Sequence, residues 1–307
     1  MTKYKEIRGI HIQSVATDPE VYAGTWASGG NMNTPGSRQG TGTQTAAIVF
    51  GGQTPPAVTA NAETYNGSSF TEVSDLNTAR GQIGAFGTQP ASFAAGGYVG
   101  PPGITNSVES WNGSAWTETT EINTSRRTQA GDGSTTAGLI AGGSNAGSTV
   151  DGETEIWNGS AWTESGDLNT ARGMTRGAGT QTAGLGVAGY HDPETFGAIV
   201  ESYDGSSWTE IADLSVGRQN HGAAGTSTAT LAFGGYVGPP GYITTTEQFD
   251  GSAWSTAPAM PAARGHLASL GTQALALGAG GTPPITNATI EFTGETSAAE
   301  ASDISFD

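Results

Sequence analysis

The sequence predicts an all-β fold, a six-bladed β-propeller whose blades have four strands each. Three markers recur along the chain with a spacing close to 46 residues: a pair of glycines, an aromatic residue after a turn, and an arginine. Repeats of this length are typical of propellers, solenoids and arrays. Each repeat contains four short strand patterns and no helical period, which favours a propeller blade.

The aromatic and glycine markers define six units. The phrase WNGSAWTE stands at 111–118 and again at 157–164, and looser copies carry an aromatic at the same position. We expect this aromatic to pack between blades, where burying a Trp contributes roughly 4–6 kcal/mol; a ligand-stacking or catalytic role is the alternative. The predicted inter-blade aromatics are Trp26, Phe70, Trp116, Trp162, Trp208 and Trp254. The second glycine of each pair is Gly52, Gly97, Gly143, Gly189, Gly235 or Gly281, with Ala188 in place of the first glycine before Gly189, and these six positions predict six blades.

One unit of the repeat is expected to fold as two hairpins. Residues 80–87 and 90–97 predict the first two strands, and the variable residues 98–106 predict a loop. Residues 107–111 and 115–122 predict the third and fourth strands. The Asn-Gly pair between them indicates a type I′ turn, in which both central residues have positive φ.

The order of the markers predicts a closed ring. The first aromatic strand, near Trp26, precedes the first glycine pair, and the last unit ends after its third strand. We therefore expect the Trp26 strand to complete the sheet made by residues 264–293, because closure removes exposed strand edges. The predicted domains are an N-terminal arm at 1–22, the propeller at 23–293 and an acidic tail at 294–307.

The arginines and a series of glutamates form two further periodic sets. Arg–Glu or Arg–carbonyl bonds between blades would explain both sets, since the guanidinium fork suits either acceptor. An anion site at the mouth of the channel is the alternative. The predicted structural ring is Arg38, Arg80, Arg126, Arg172, Arg218 and Arg264; the glutamates are Glu63, Glu109, Glu155, Glu201, Glu247 and Glu291.

Charge and composition exclude several classes of function. The chain has 307 residues, a net charge of −17 and only 11 Lys and Arg, so a surface for nucleic acid is not expected. No run of 18 apolar residues predicts a membrane span. The basic start, MTKYKEIRGIHIQS, lacks the apolar segment of a secretory signal. With no secretory signal, Asn-x-Ser/Thr sequences such as the one at Asn112 are expected to be turns.

The sequence contains no recognisable catalytic motif. It has no Cys, and no nucleophile elbow, phosphate-binding loop or HExxH motif occurs. His221 and His266 fall near the first strands of adjacent units, but two histidines out of register do not make a metal site. We expect no metal, no cofactor and no enzymatic activity.

The repeat resembles the kelch motif: a glycine pair, an aromatic, a Trp and then an Arg before the next inner strand. One such set is Gly96–Gly97, Trp111, Trp116 and Arg126, and the resemblance covers about residues 23–293. The phrase WNGSAWTE…LNTARG…GTQTA…GG is similar to degenerate kelch-like proteins of marine bacteriophages, especially those of cyanobacteria. That resemblance implies a virion or tail-fibre component with a structural or host-contacting role.

The variable loops between the second and third strands are the candidate contact surface. Aromatic residues on stiff, proline-containing loops make contacts to glycans or proteins at low entropic cost; unconstrained loops are the alternative. The candidate residues are Tyr98, Pro101, Pro102, Tyr190, His191, Tyr236, Pro239, Pro240 and Tyr242.

These observations favour a non-enzymatic phage virion protein, a tail-fibre, tail-associated or capsid-decorating propeller. Its expected partners are other virion proteins, through residues 1–22, and a host-surface glycan or protein; a homo-oligomer or symmetric array in a particle is also open. Two alternatives remain: a carbohydrate-active or metal-dependent enzyme on a kelch scaffold, and a cellular protein-interaction propeller.

Overall fold

The computed structural model describes residues 21–22, 24–54, 57–101, 103–145, 149–173, 175–192, 195–239, 241–294 and 296–297. All described elements are strands, and they form six four-stranded antiparallel blades around a central channel. The structure thus confirms the six-bladed propeller. The predicted arm lies almost entirely outside the described residues.

Each blade runs from an inner strand at the channel to an outer strand at the rim. Blades 1 and 2 consist of Ser37–Thr43, Ala46–Thr54, Ala62–Tyr65 and Phe70–Val73, and of Gly84–Thr88, Ala91–Gly100, Gly103–Trp111 and Trp116–Thr119. Blades 3 and 4 consist of Ala130–Ser134, Ala137–Ser144, Val150–Trp157 and Trp162–Glu164, and of Arg176–Thr180, Ala183–Asp192, Thr195–Tyr203 and Trp208–Glu210. Blade 5 consists of Gly222–Thr226, Ala229–Phe233, Thr246–Phe249 and Trp254–Ala257.

Blade 6 is built from both ends of the propeller and closes the ring. Its inner strands are Ala268–Gly271, Leu275–Ala279 and Thr289–Thr293, and its outer strand is Thr25–Ser28. Trp26 pairs with Phe292, as the predicted closure requires. Beyond the predicted bounds of the propeller, Val21–Tyr22 pairs with Thr296–Ser297 as a separate two-stranded sheet. Ala57–Val58 adds a short strand to blade 1.

The hydrophobic core consists of six clusters, each at the junction of two neighbouring blades. The periodic aromatics lie in these junctions. Trp116 of blade 2 packs on Phe50 of blade 1 with ring centroids 4.8 Å apart, and Trp26 of blade 6 packs on Phe233 of blade 5 at 5.0 Å. Phe70 joins the junction of blades 6 and 1. Several indole N–H groups also donate across the junction, as Trp254 does to Ala212 O at 2.9 Å; Trp162 and Trp208 do the same.

In blades 1 to 4 the glycine pairs bend the second strand instead of ending it, whereas in blades 5 and 6 the second strand ends just before the pair, as predicted. Gly96 and Gly97 have φ of 61° and 117°, and the pairing with the third strand shifts register beside them. Gly97 N donates to Arg126 O at 2.8 Å, so the next unit of the chain lies directly on this bend. Positive φ and this close backbone approach explain why glycine recurs there.

Two details of the predicted unit are wrong. Residues 98–106 were expected to form a loop, yet Ala91–Gly100 and Gly103–Trp111 continue past the bend as a β-hairpin arm. The Asn-Gly turn is not type I′, because Trp111 pairs with Trp116 across four residues and only Gly113 among them has positive φ. Asn112 Oδ1 instead accepts the N–H groups of Ser114 and Ala115 at 3.0 Å, an Asx turn.

Candidate ligand-binding face and channel mouth

The two faces of the ring carry different connections. On one side, which we call the turn face, the Asx turns lie beside the turns that join the first and second strands, as Gly113 lies beside Pro90. On the other, which we call the arm face, lie the hairpin arms and the connections between blades. A bridge between Gly81 and Tyr98 joins a connection to an arm.

The periodic arginines hold the connections between blades. Arg80 donates to Ser107 O at 2.7 Å and to Ala94 O at 3.3 Å, and it pairs with Glu109 at 2.9 Å, all within blade 2. Its own carbonyl accepts Gly52 N of blade 1 at 2.7 Å. One residue therefore links two blades, and similar ion pairs are Arg126–Glu155, Arg172–Glu201 and Arg218–Glu247.

The glutamates complete this network by accepting backbone N–H groups of the connection. Glu109 accepts Asn77 N at 2.7 Å and Thr78 N at 3.3 Å. Burial lowers the pKa of Arg80, and the charge of Glu109 opposes that shift. Because both side chains are at most 1% exposed, this guanidinium is closed to an outside anion.

The first and last blades depart from this arrangement. Arg38 lies two residues farther from the preceding periodic aromatic than the other arginines do. Its guanidinium nevertheless donates to Gly51 O at 2.7 Å. The Arg38 side chain lies against Gly36. Gly36 occupies the backbone position that the periodic arginine has in the other units. In blade 6, Arg264 donates to Gly280 O and Ala288 O, while Glu291 accepts the hydroxyl of Tyr65 at 2.5 Å.

The candidate contact residues divide between three arms. In blade 2, Tyr98 lies 5.4 Å below the guanidinium of Arg127, and Pro101 is exposed at the tip. In blade 4, Tyr190 packs against the connection at Gly173, and Nδ1 of His191 is buried without a hydrogen-bond partner. Tyr236, Tyr242 and exposed Pro239 belong to blade 5; Pro102 and Pro240 lie outside the described residues.

A continuous run of aromatic rings crosses the arm face from blade 4 to blade 6. Phe196 meets Tyr236 edge-on at 5.4 Å, and Tyr236 meets Tyr242 at 5.2 Å. Tyr242 then lies 6.3 Å from His266 at the channel. All four rings are partly exposed, so they form an accessible strip, which we call the aromatic strip. Sequence reasoning included two of its members as contacts and missed His266 and Phe196, the second of which lies in the variable blade-4 arm.

The aromatic strip ends at a small cavity in the mouth of the channel. The cavity has a volume of about 20 Å³. Four of its residues have φ near +55° to +63° although none is glycine, a conformation that is costly for such side chains. They are Gln82, Thr128, Asn220 and His266, and the cavity is completed by Ser37, Gln39, Gln53 and Arg176.

The two channel histidines are held neutral by burial. His221 is fully buried, both ring nitrogens lack hydrogen-bond partners, and burial holds its pKa well below the usual range. Burial, followed by the charge of Arg176, lowers the pKa of His266 to about 4. Within the described part of the chain, no group of three His, Cys, Asp or Glu side chains could hold a metal ion.

The turn-face end of the channel is wider and lined mainly by glycine and alanine residues. It encloses about 120 Å³ between the inner strands of all six blades. Asp132 lies there, 5% exposed, with Oδ2 unpartnered and its carboxylate packed against the backbone of Gly177. Burial raises the pKa of this carboxyl well above its usual range. Equivalent positions hold Phe86, Ala178 and Leu270, so nothing in the repeat predicted a buried acid here.

Among the residues that the structure describes, no helix is long and apolar enough to cross a membrane. No protein-family model matches the chain, and no curated protein matches it either.

Proposed function

We propose that this protein is a non-enzymatic attachment propeller of the kelch-like kind that the repeat resembles in marine phage virions. Its arm face binds a glycan on the host surface. The observation that carries this proposal is the aromatic strip, Phe196–Tyr236–Tyr242–His266, with successive ring centroids 5.2–6.3 Å apart.

The chemistry of the strip suits a saccharide. Pyranose rings present C–H faces that stack on aromatic side chains, and tyrosine hydroxyls hydrogen-bond to sugar hydroxyls. The rings of Tyr236 and Tyr242 are tilted by 57° to each other, which favours a curved or branched chain over a flat surface. The strip spans three blades, a length that accommodates more than one sugar unit.

The backbone beneath the strip is preorganised. Tyr236 exchanges two hydrogen bonds with Gln219 of the connection, at 2.8 and 3.0 Å, and forms a bridge with Tyr242. Rings fixed in this way lose little entropy on binding, which raises affinity for a given contact area.

The setting in a particle rests on the sequence resemblance. A closed ring has two faces, so one can contact a host while residues 1–22 attach the propeller to other virion proteins. Mass spectrometry of purified particles tests this setting, and we expect peptides of the chain in stoichiometric amounts. Absence from particles would remove the virion assignment.

A glycan-array screen of the purified protein tests the binding face. We expect binding to a restricted set of glycans, and Tyr242→Ala is expected to reduce affinity at least about tenfold, the loss of one good aromatic contact. Tyr98→Ala is the matched control, because Tyr98 lies on the same face but outside the strip. This variant is expected to bind the glycan with normal affinity. Equal losses in both variants would place the contact elsewhere, and hydrolysis of a bound glycan would contradict the non-enzymatic assignment.

A further inference from the structure

The cavity at the channel mouth contains a cation that the repeat does not account for. Of the 11 basic residues, three are in the N-terminal arm and six form the periodic ring, which leaves Arg127 and Arg176. Arg176 stands three residues before the last glycine of its inner strand. The equivalent positions hold Gln39, Gly84, Ala130, Gly222 and Ala268, so blade 4 alone places a charge there.

The guanidinium of Arg176 lies among neutral groups. Its Nε donates to His221 O at 3.0 Å and its Nη1 to Thr175 O at 3.5 Å. Within the described residues it forms no ion pair, unlike Arg80, Arg126, Arg172 and Arg218. The cavity that it lines contains no carboxylate, and burial lowers the pKa of Arg176 to about 10. Arg176 is partly buried. A cation withdrawn from water without a counter-ion is costly, and a bound anion would offset that cost.

The other residues of the cavity supply donors for an anion. Amide groups come from Gln39, Gln53, Gln82 and Asn220, and a hydroxyl comes from Ser37. The hydroxyl of Thr128 already donates to Arg127 O. The Oε1 atom of Gln82 is buried without a hydrogen-bond partner, so protein contacts do not hold this amide in one orientation. Its NH₂ group can therefore turn toward an anion. Thr128 and Asn220 reach the cavity from left-handed backbone with φ of 63° and 54°, strain of the kind found where side chains contact a ligand.

We propose that this cavity binds a monovalent anion, with Arg176 as its counter-ion. Its volume of about 20 Å³ holds one group slightly larger than a water molecule. A free halide has this size, and so has the carboxylate of an acidic sugar that enters from the arm face. The periodic arginines do not compete for the anion, because their side chains are buried and already bonded to Glu side chains or backbone carbonyls.

The first test is thermal unfolding of the intact protein as sodium chloride replaces sodium fluoride at constant ionic strength. Saturating chloride is expected to raise the melting temperature by ~2–4 °C, the shift produced by a ligand well above its dissociation constant. Arg176→Gln is expected to abolish this rise. Arg127→Gln, which removes the same charge from the same face outside the cavity, is expected to keep it. An equal rise in wild type and Arg176→Gln would overturn the proposal.

A second arm of the test separates the two sources of anion. Glucuronate and glucose are compared in place of chloride, on wild type and Arg176→Gln. Stabilisation by glucuronate at concentrations where chloride and glucose have no effect identifies a sugar carboxylate, whereas a chloride effect alone identifies a free halide. If no anion stabilises the wild type more than Arg176→Gln, the site does not exist.

Diffraction from bromide-soaked wild-type crystals keeps the proposal testable if Arg176→Gln fails to fold. An anomalous peak within hydrogen-bonding distance of the Arg176 guanidinium is expected. Absence of this peak, together with absence of sugar density there in glucuronate-soaked crystals, would contradict the site. None of these measurements depends on glycan binding to the aromatic strip, so the anion site and the proposed function can fail separately.

Discussion

The turn face and the arm face solve the same problem, joining strands, in opposite ways. On the turn face, an exposed Asn or Asp accepts the next backbone N–H groups in blades 1 to 5, as Asn112 and Asp204 do. On the arm face, buried Arg–Glu pairs hold the connections, and the arms above them differ from blade to blade. Local hydrogen bonds suffice at the rim of the turn face, whereas connections that cross between blades need long-range contacts.

This difference indicates which segments of the chain tolerate changes in sequence. The turns are uniform although they are exposed, because their geometry is set by one side chain. The arms vary freely beyond the glycine bends, because the network beneath them already satisfies the connection. Variation at the arm face and in the channel therefore marks where binding can differ without cost to the ring.

Breaking the repeated network of the arm face is expected to have the largest effect. Arg80→Met leaves Glu109 buried without its counter-ion and is expected to lower the free energy of unfolding by ~3–5 kcal/mol. Denaturant unfolding measures this loss. Adding Glu109→Gln is expected to recover part of it, and Arg127→Met, at a more exposed site, is expected to cost less than ~1 kcal/mol. A small effect of Arg80→Met would mean that the connections do not depend on the network.

Loosening the closure of the ring is expected to have the next largest effect, since both faces are complete only when blade 6 is. Trp26 packs on Phe233 and Phe292 and donates to Pro258 O at 2.9 Å. Trp26→Ala is expected to cost ~3 kcal/mol in thermal unfolding. Trp26→Phe keeps a ring and loses the hydrogen bond, so ~1 kcal/mol is expected. Equal stability of the Ala variant and wild type would show that closure does not need this residue.

Restoring the repeat inside the channel is expected to stabilise the protein. Asp132→Ala introduces the residue of blades 4 and 5 and removes an unpartnered buried carboxyl, so a gain of ~1–3 kcal/mol at pH 7 is expected. Burial raises the pKa of Asp132, so the stability difference between wild type and Asp132→Ala is smallest below pH 3.8, the ordinary pKa of the carboxyl. Wild type then loses stability relative to the variant as pH rises through the raised pKa.

Unfolding measured from pH 3 to pH 8 tests the behaviour of Asp132. Glu72→Ala, which removes an exposed acid, is the control. A constant difference between wild type and Asp132→Ala across this range would mean that the carboxyl does not titrate with folding.

The smallest effect is expected at an exposed Asx turn. Hydrogen bonds from Ser207 N and from Ser206 lower the pKa of Asp204 to about 2. The resulting stabilisation is present above the ordinary value of 3.8 and is lost as pH falls toward 2. Asp204→Asn keeps the acceptor, so its unfolding curve should lack this loss, and Asn112→Asp should acquire it. Parallel acid curves for all three proteins would contradict the assignment of the turn.

Periodicity predicted most of the fold and part of the site. The position of Trp26 before the first glycine pair was enough to predict closure, because an extra fourth strand at the start and a missing fourth strand at the end admit one economical pairing. Tyr236 and Tyr242 were predicted as contacts from their place in a variable loop. Phe196 and His266 were not, since only the packing of three arms brings their rings into one strip. Asp132 and Arg176 break the repeat and can be recognised as exceptions in the sequence. Their burial and their neighbours are known only from the structure.

The sequence by itself determined the number of blades, their order and the closing strand. The reason is that the repeat period is set by strand length and turn chemistry, and both are independent of the contacts that each blade makes. Only the tertiary structure decided which arginines are paired, which one faces the channel without a carboxylate, and which aromatics share a surface. Those properties depend on distances between residues far apart in the chain, and such distances exist only once six blades have closed into a ring.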